Sequence, residues 1–280
     1  MKILKYLYTF FLLWIPFLSY ANCGDLESTL RDKFYPDDLE LNFRRVIGSD
    51  CQVLPADPSK TIVAFLTKDD DILDANFNLD VMLVDSQSGE VIARDKEKNV
   101  IQRENELIKL SIDRRVEFGI DTTSYKLNPQ VSVFGIRIFY NHIFNGLTPY
   151  MAEYINLYSF QNKNLTRALN NLEVKHIIFN EDEDQIHLHS PPKFDHLMTT
   201  LSLSQHHTNG FADIIVSEQR GSIGPAELFS DTTLKRHFKR IPKHVFILRY
   251  DGKKYVIPKR NDIQYRYYNK HFINTRTYMD

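Results

Sequence analysis

From Thr61 onward the chain is written in short runs of β-branched and aromatic residues separated by turn residues, a pattern that confines it to a body made of strands. The runs Thr61 to Leu66, Asp80 to Val84, Glu90 to Arg94, Leu107 to Ile112, Val131 to Tyr140, Tyr154 to Phe160, Val174 to Phe179, Ala212 to Val216, Val245 to Tyr250 and Lys254 to Ile257 each read as a strand. Hairpin turns are expected at Ser86 to Gly89, at Gln161 to Asn164, and at Asp251-Gly252, a two-residue turn that calls for positive φ at both centres. Val131 to Tyr140 alternates well, with Phe134, Ile136 and Ile138 on one face and Arg137 on the other, the signature of a half-buried strand. The fold class this implies is mainly β: a small propeller-like or two-sheet antiparallel body with one N-terminal helix.

That helix is expected from Gly24 to Tyr35. Leu26, Leu30 and Phe34 recur at a four-residue spacing, Asp25 and Glu27 lie in the first turn, and Pro36 stops the run. The chain has two cysteines, Cys23 and Cys51, with no third to compete, so in an oxidising compartment they form one disulfide. It ties the helix to the Cys51 to Leu54 segment.

The compartment is read from the first 21 residues. Lys2 and Lys5 precede an apolar run from Tyr6 to Leu18, and Ser19 and Ala21 occupy the positions a signal peptidase inspects. Pro16 and the shortness of the run argue against a retained anchor. Asn22 before Cys23 is a poor residue for lipoprotein processing. The expected organisation is a signal peptide at 1 to 21, a helix and disulfide clasp at 22 to 58, a β-rich body at 59 to 258 and an aromatic and basic tail at 259 to 280. The location is the periplasm or the exterior. Without Lys2 and Lys5 the chain holds 33 basic against 36 acidic residues, too near balance for a nucleic-acid partner.

Several oxygen and nitrogen donors stand at spacings that suit metal ions. Asp74, Asn76, Asn78 and Asp80 alternate along a loop that leads into a strand, an arrangement able to converge on one calcium ion; the same residue types also favour plain polar turns. The segments Asn78 to Asp85 and Gly210 to Ser217 resemble FG-GAP repeats, the calcium-loop blades of integrin-type β-propellers. Aligning the final Asp of that loop with Asp80 implies Asp74, Asn76 and Asn78 as its third, fifth and seventh positions. Aligning it with Asp213 puts Asn209-Gly210 on the loop's Asp-Gly step. Ile72 and Gln205 stand where the leading Asp belongs, and the chain is too short for seven large blades. Structural calcium, or no cofactor, is the resulting expectation.

Six of the ten histidines, His176, His187, His189, His196, His206 and His207, fall within one stretch. His187 and His189 on a strand share one face, a zinc-compatible spacing if Asp184 or His196 folds back as a third ligand. Other patterns fail on context: Ser190 to Lys193 spells S-x-x-K across two prolines that forbid the helix it needs, and Arg220 to Gly224 lacks nucleophile-elbow spacing. Arg266, Tyr267, Tyr268 and Phe272 in the tail are of the types enriched in binding hot spots. The expected function is an exported, non-enzymatic binding, inhibitor or immunity-type protein acting on a macromolecular partner, another protein of the same compartment, with no stable membrane insertion after cleavage. An exported metal-dependent hydrolase using Asp74 to Asp80 or the His187 region is the alternative.

Overall fold

The structure, a computed structural model, describes residues 23–36, 46–68, 77–98, 100, 115–123, 125–144, 148–180, 193–224 and 240–258. Among these residues there are one helix, α1 (Cys23–Phe34), and eleven strands in two antiparallel sheets. The smaller runs in the order β1 (Val46–Val53), β2 (Lys60–Lys68), β3 (Phe77–Asp85), β4 (Val91–Glu97). The larger holds β5 (Arg115–Asp121), β6 (Ser132–Phe144), β7 (Thr148–Gln161), β8 (Asn164–Asn180), β9 (Lys193–Thr208), β10 (Phe211–Ile223) and β11 (His244–Leu248), each beside its sequence neighbour. Neither sheet closes into a barrel, so of the two architectures expected the two-sheet body is the one observed.

β2 and β3 are buried on both faces, which explains why Thr61 to Leu66 and Leu79 to Val84 read as nearly unbroken apolar runs rather than alternations. On one face Ile62, Ala64, Leu66, Leu79, Val81 and Leu83 pack against Phe134, Ile136, Ile138 and Tyr158 of the larger sheet. On the other, Val63, Phe65, Met82 and Val84 meet Leu26 and Leu30 of α1. The smaller sheet is thus the middle of three layers. Cys23 and Cys51 are joined, with their Cα atoms 5.6 Å apart, and fasten the start of α1 to β1.

A second core lies in the C-terminal half. β8 and β9 pair only between Lys175↔Met198 and Asn180↔Lys193, so the first half of β8 and the second half of β9 do not share ladder bonds. Ile155, Leu157, Leu169 and Leu172 from β7 and β8 cluster there with Ile214, Val216 and Leu248. Tyr255 pins the two groups, donating its backbone N–H to the Ala168 carbonyl and its hydroxyl to the Ala212 carbonyl at 2.6 Å.

Three strands, β1, β5 and β9, exceed the sequence expectation. β9 was hidden because Thr199 to His207 is rich in Ser, Thr and His rather than in large apolar residues. Lys254 to Ile257 is corrected in the other direction: it contributes one bridge, Tyr250↔Tyr255, and no strand. The Asp251-Gly252 turn is corrected too. Gly252 alone has positive φ, at 102°, and Asp251 instead closes the turn by accepting the Lys253 and Lys254 amides on its carboxylate. At Asn162-Lys163 both residues do adopt positive φ, 51° and 62°. Leu107 to Ile112 lies outside the described residues.

Candidate functional site

Of the calcium set, Asp74 and Asn76 lie outside the described residues, and Asn78 and Asp80 sit on β3. Asp80 is wholly buried and engaged by protein groups. Its Oδ1 accepts from Arg94 Nε at 2.8 Å, and its Oδ2 accepts from Arg94 Nη2 and from the Tyr35 hydroxyl, both at 2.5 Å. The Phe34 ring lies over the Arg94 guanidinium at 4.0 Å. Burial, then the bond to Asp80, raises the Tyr35 pKa well above its ordinary value. The side chains that meet here seal the join between α1 and the smaller sheet.

His187, His189 and Asp184 lie outside the described residues, as do the tail residues Arg266, Tyr267, Tyr268 and Phe272. His196 is buried on β9, and His176 on β8 shares a 2.9 Å hydrogen bond with Glu173. Among the described residues no three His, Cys, Asp or Glu side chains converge as a metal site. Asn209-Gly210, aligned above with a metal loop, forms the two-residue turn between β9 and β10 with φ of 51° and 81°. Asp213 is buried beside that turn, where a register break between Ala212 and Ile214 brings its Oδ2 within 2.7 Å of the His206 Nδ1. Burial pushes the Asp213 carboxyl up, but bonds from Thr208 and His206 and the charges of His206 and Arg249 outweigh it and hold the pKa low.

Two surfaces emerge that sequence reasoning missed. The first is a hollow of about 490 Å³ at the β5–β6 end of the larger sheet, lined by Asp121, Thr122, Thr123, Arg137 and Phe139. Register builds it: Gly119 faces Arg137 and Gly135 faces Asp121. A Cβ on Gly135 would lie 3.1 Å from the Asp121 Cβ, so glycine there admits the carboxylate. Arg137 Nε donates to Asp121 Oδ2 at 2.7 Å and Nη1 to Glu153 Oε1 at 2.5 Å. The Tyr125 hydroxyl and the Thr123 amide also donate to Asp121. Burial alone would raise the Asp121 pKa, yet the bonds from Thr123, Tyr125 and Arg137 prevail and bring it to about 2. Burial and the bond to Asp121 push the Tyr125 hydroxyl up to about 12. The one signal in the sequence was Arg137 itself, a cation on the outward face of an otherwise apolar strand.

No family model, curated protein or solved structure matches the chain. The site must therefore be read from its own chemistry.

The second surface is the outer face of β9, β10 and β11. Val245, Ser217 and Thr200 form one cross-strand row, and Ile247, Ile215 and Ser202 form the next. Val245 is 55% and Ile247 46% exposed, and Met198 continues the face one row further along at 38%. Neither row contains a charge. Open sheet faces usually carry interspersed charged side chains, and the lack of charge together with exposed Val, Ile and Met is what this surface shares with the core of an interface. Among the described residues no helix is long and apolar enough to cross a membrane.

Proposed function

We propose that this chain is an exported binding protein of the inhibitor or immunity type, acting on a macromolecular partner in the periplasm or outside the cell. The observation that carries the reading is the pair of uncharged rows on the outer face of β9 to β11, where Val245 and Ile247 stay in water beside Ile215 and three hydroxyl side chains. Leaving such apolar area exposed is unfavourable by roughly 25 cal/mol for each Å² and is recovered when a partner covers it. The Cys23–Cys51 disulfide supports the compartment, since such bonds persist where the surroundings are oxidising. The signal-like first 21 residues agree with it.

The test compares capture by two proteins. The parent chain as bait in an extract of its own compartment should retain a stoichiometric partner, and the Val245→Lys, Ile247→Lys double variant should lose it. Both positions are exposed, so the melting temperature of the variant should stay within about 2 °C of the parent. Capture that survives the double substitution would overturn this face as the contact. A hydrolytic activity that copurifies with the protein and is lost on chelation would replace the binding reading with that of a metal-dependent enzyme.

A further inference from the structure

We infer that the hollow at the β5–β6 end recognises a basic side chain, an arginine guanidinium or lysine ammonium presented by a protein partner; the partner's nature rests on the reading above, while the cation site stands on its own geometry. Phe139 is the platform. It is 37% exposed at the rim of the hollow although it lies on a central stretch of β6. Its direct cross-strand neighbours are both carboxylates, Glu117 on β5 and Glu153 on β7. Side chains directly opposite across a ladder have Cβ atoms about 5 Å apart, so both acids flank the ring. An aromatic face bordered by two carboxylates attracts a cation twice over, through the ring quadrupole and through charge.

The charge count points the same way. Arg137 is held on two edges, by Asp121 and Glu153, and Lys175 is the cross-strand neighbour of Glu153 on the side away from Phe139. Among the described side chains, these two cations thus stand against Asp121, Glu153 and Glu117, with the Asp50 carboxylate beside Gly119 and Ile120, so the acids are in surplus. An anion is disfavoured there despite the arginine. Thr122 and Thr123, which follow β5, add hydroxyls at the wall, suited to accept from the remaining N–H groups of a guanidinium. Gly119, opposite Arg137, keeps the approach open, because a Cβ at that position would meet nothing closer than the Asp50 carboxylate at 3.8 Å.

The experiment titrates the full chain with N-acetyl-arginine methylamide and, in parallel, with the uncharged citrulline and the aromatic tyrosine analogues, by calorimetry or chemical-shift perturbation. Saturable binding of the arginine compound is expected, at least tenfold weaker for citrulline, and weakened at least tenfold in Phe139→Ala and severalfold in Glu117→Gln. Higher salt should weaken it further. No saturation by the arginine compound, equal binding of citrulline, or preference for tyrosine would each overturn the inference. Partner capture separates the two proposals. If the Val245→Lys, Ile247→Lys protein loses its partner but still binds the arginine compound, both stand. If the parent captures nothing yet binds that compound, the binding-protein reading fails while the cation site remains.

Discussion

The molecule contains the same trio of side chains twice, an arginine, an aspartate and a tyrosine, and the two copies have opposite fates. At the join of α1 and the smaller sheet, Arg94, Asp80 and Tyr35 meet with Asp80 fully buried and the Phe34 ring stacked on the partly exposed Arg94 guanidinium. At the end of the larger sheet, Arg137 and Asp121 border an open hollow, with Tyr125 bonded to Asp121, Glu153 as an additional acid and Phe139 uncovered. Local chemistry is therefore not what separates a structural node from a binding node. The two arginine side chains are similarly exposed, at 30% and 35%; the nodes differ in the ring stacked on Arg94, the full burial of Asp80 and the carboxylates that outnumber Arg137.

The largest expected effect follows from that difference. Asp80→Ala leaves Arg94 beside an apolar layer without its counter-ion, a change of about 3 kcal/mol in unfolding free energy, at the lower end for broken buried pairs because Arg94 is partly exposed. Asp121→Ala leaves Arg137 with Glu153 and with water, and should cost about 1 kcal/mol. Urea unfolding of the two variants reads both values. Equal costs would break the comparison. Replacing Asp80 and Arg94 together by Ala and Met should recover part of the loss, since well-packed apolar replacements of buried ion pairs are often close to neutral.

The fold was legible in the sequence to the extent that period-two patterning carries it. Val131 to Tyr140 announced Phe134, Ile136 and Ile138 as a buried face opposite Arg137, although Val131 and Val133 on the Arg137 face are buried too, in the second core; the continuous apolar runs at Thr61 to Leu66 and Asp80 to Val84 became the doubly buried centre of the smaller sheet. Strand β9 escaped notice because its stabilisation comes from ladder bonds to β8 and β10 rather than from its own apolar side chains. The sites were less legible for a related reason. Asp80 was marked by its spacing from Asp74, but its partners Tyr35 and Arg94 come from other elements, and only the pairing of β3 with β4 and the docking of α1 bring them together. Glu117, Phe139 and Glu153 are neighbours through ladder register alone, with no local spacing to reveal them.

A smaller effect sharpens the sealed half of the comparison. The Cys23–Cys51 bond closes a separation of 28 residues and holds the helix whose last residue, Phe34, covers Arg94. Replacing both cysteines by serine should cost about 3 kcal/mol by loop entropy, spread over the whole clasp rather than the node. The informative quantity is the coupling. In the serine background, with α1 held less firmly, the cost of Asp80→Ala should fall by about 1 kcal/mol, while that of Asp121→Ala stays unchanged. Additivity at both nodes would mean that the helix seals Arg94 without help from the disulfide.

The smallest effect belongs to the open node and appears in acid. Asp121 is held at about 2 in the folded protein, whereas an unfolded aspartate titrates near 3.9. A carboxylate whose folded pKa is depressed contributes stability that is present above the unfolded value and disappears as the pH falls through the folded one. The Asp121 contribution should therefore be complete above about pH 5 and lost between about pH 4 and pH 2. Because water reaches the node, the amount is about 1 kcal/mol rather than the full linkage value. Asp57, Asp85, Asp213 and Asp251 are also held low, so the parent curve alone does not isolate the site. The readout is the difference between the parent and Asp121→Asn, measured by urea unfolding from pH 2 to pH 7. That difference should be level from pH 5 to pH 7 and shrink toward zero near pH 2. A difference that does not change with pH would show that Asp121 supports Arg137 through shape rather than charge, and the two nodes would then differ in burial alone.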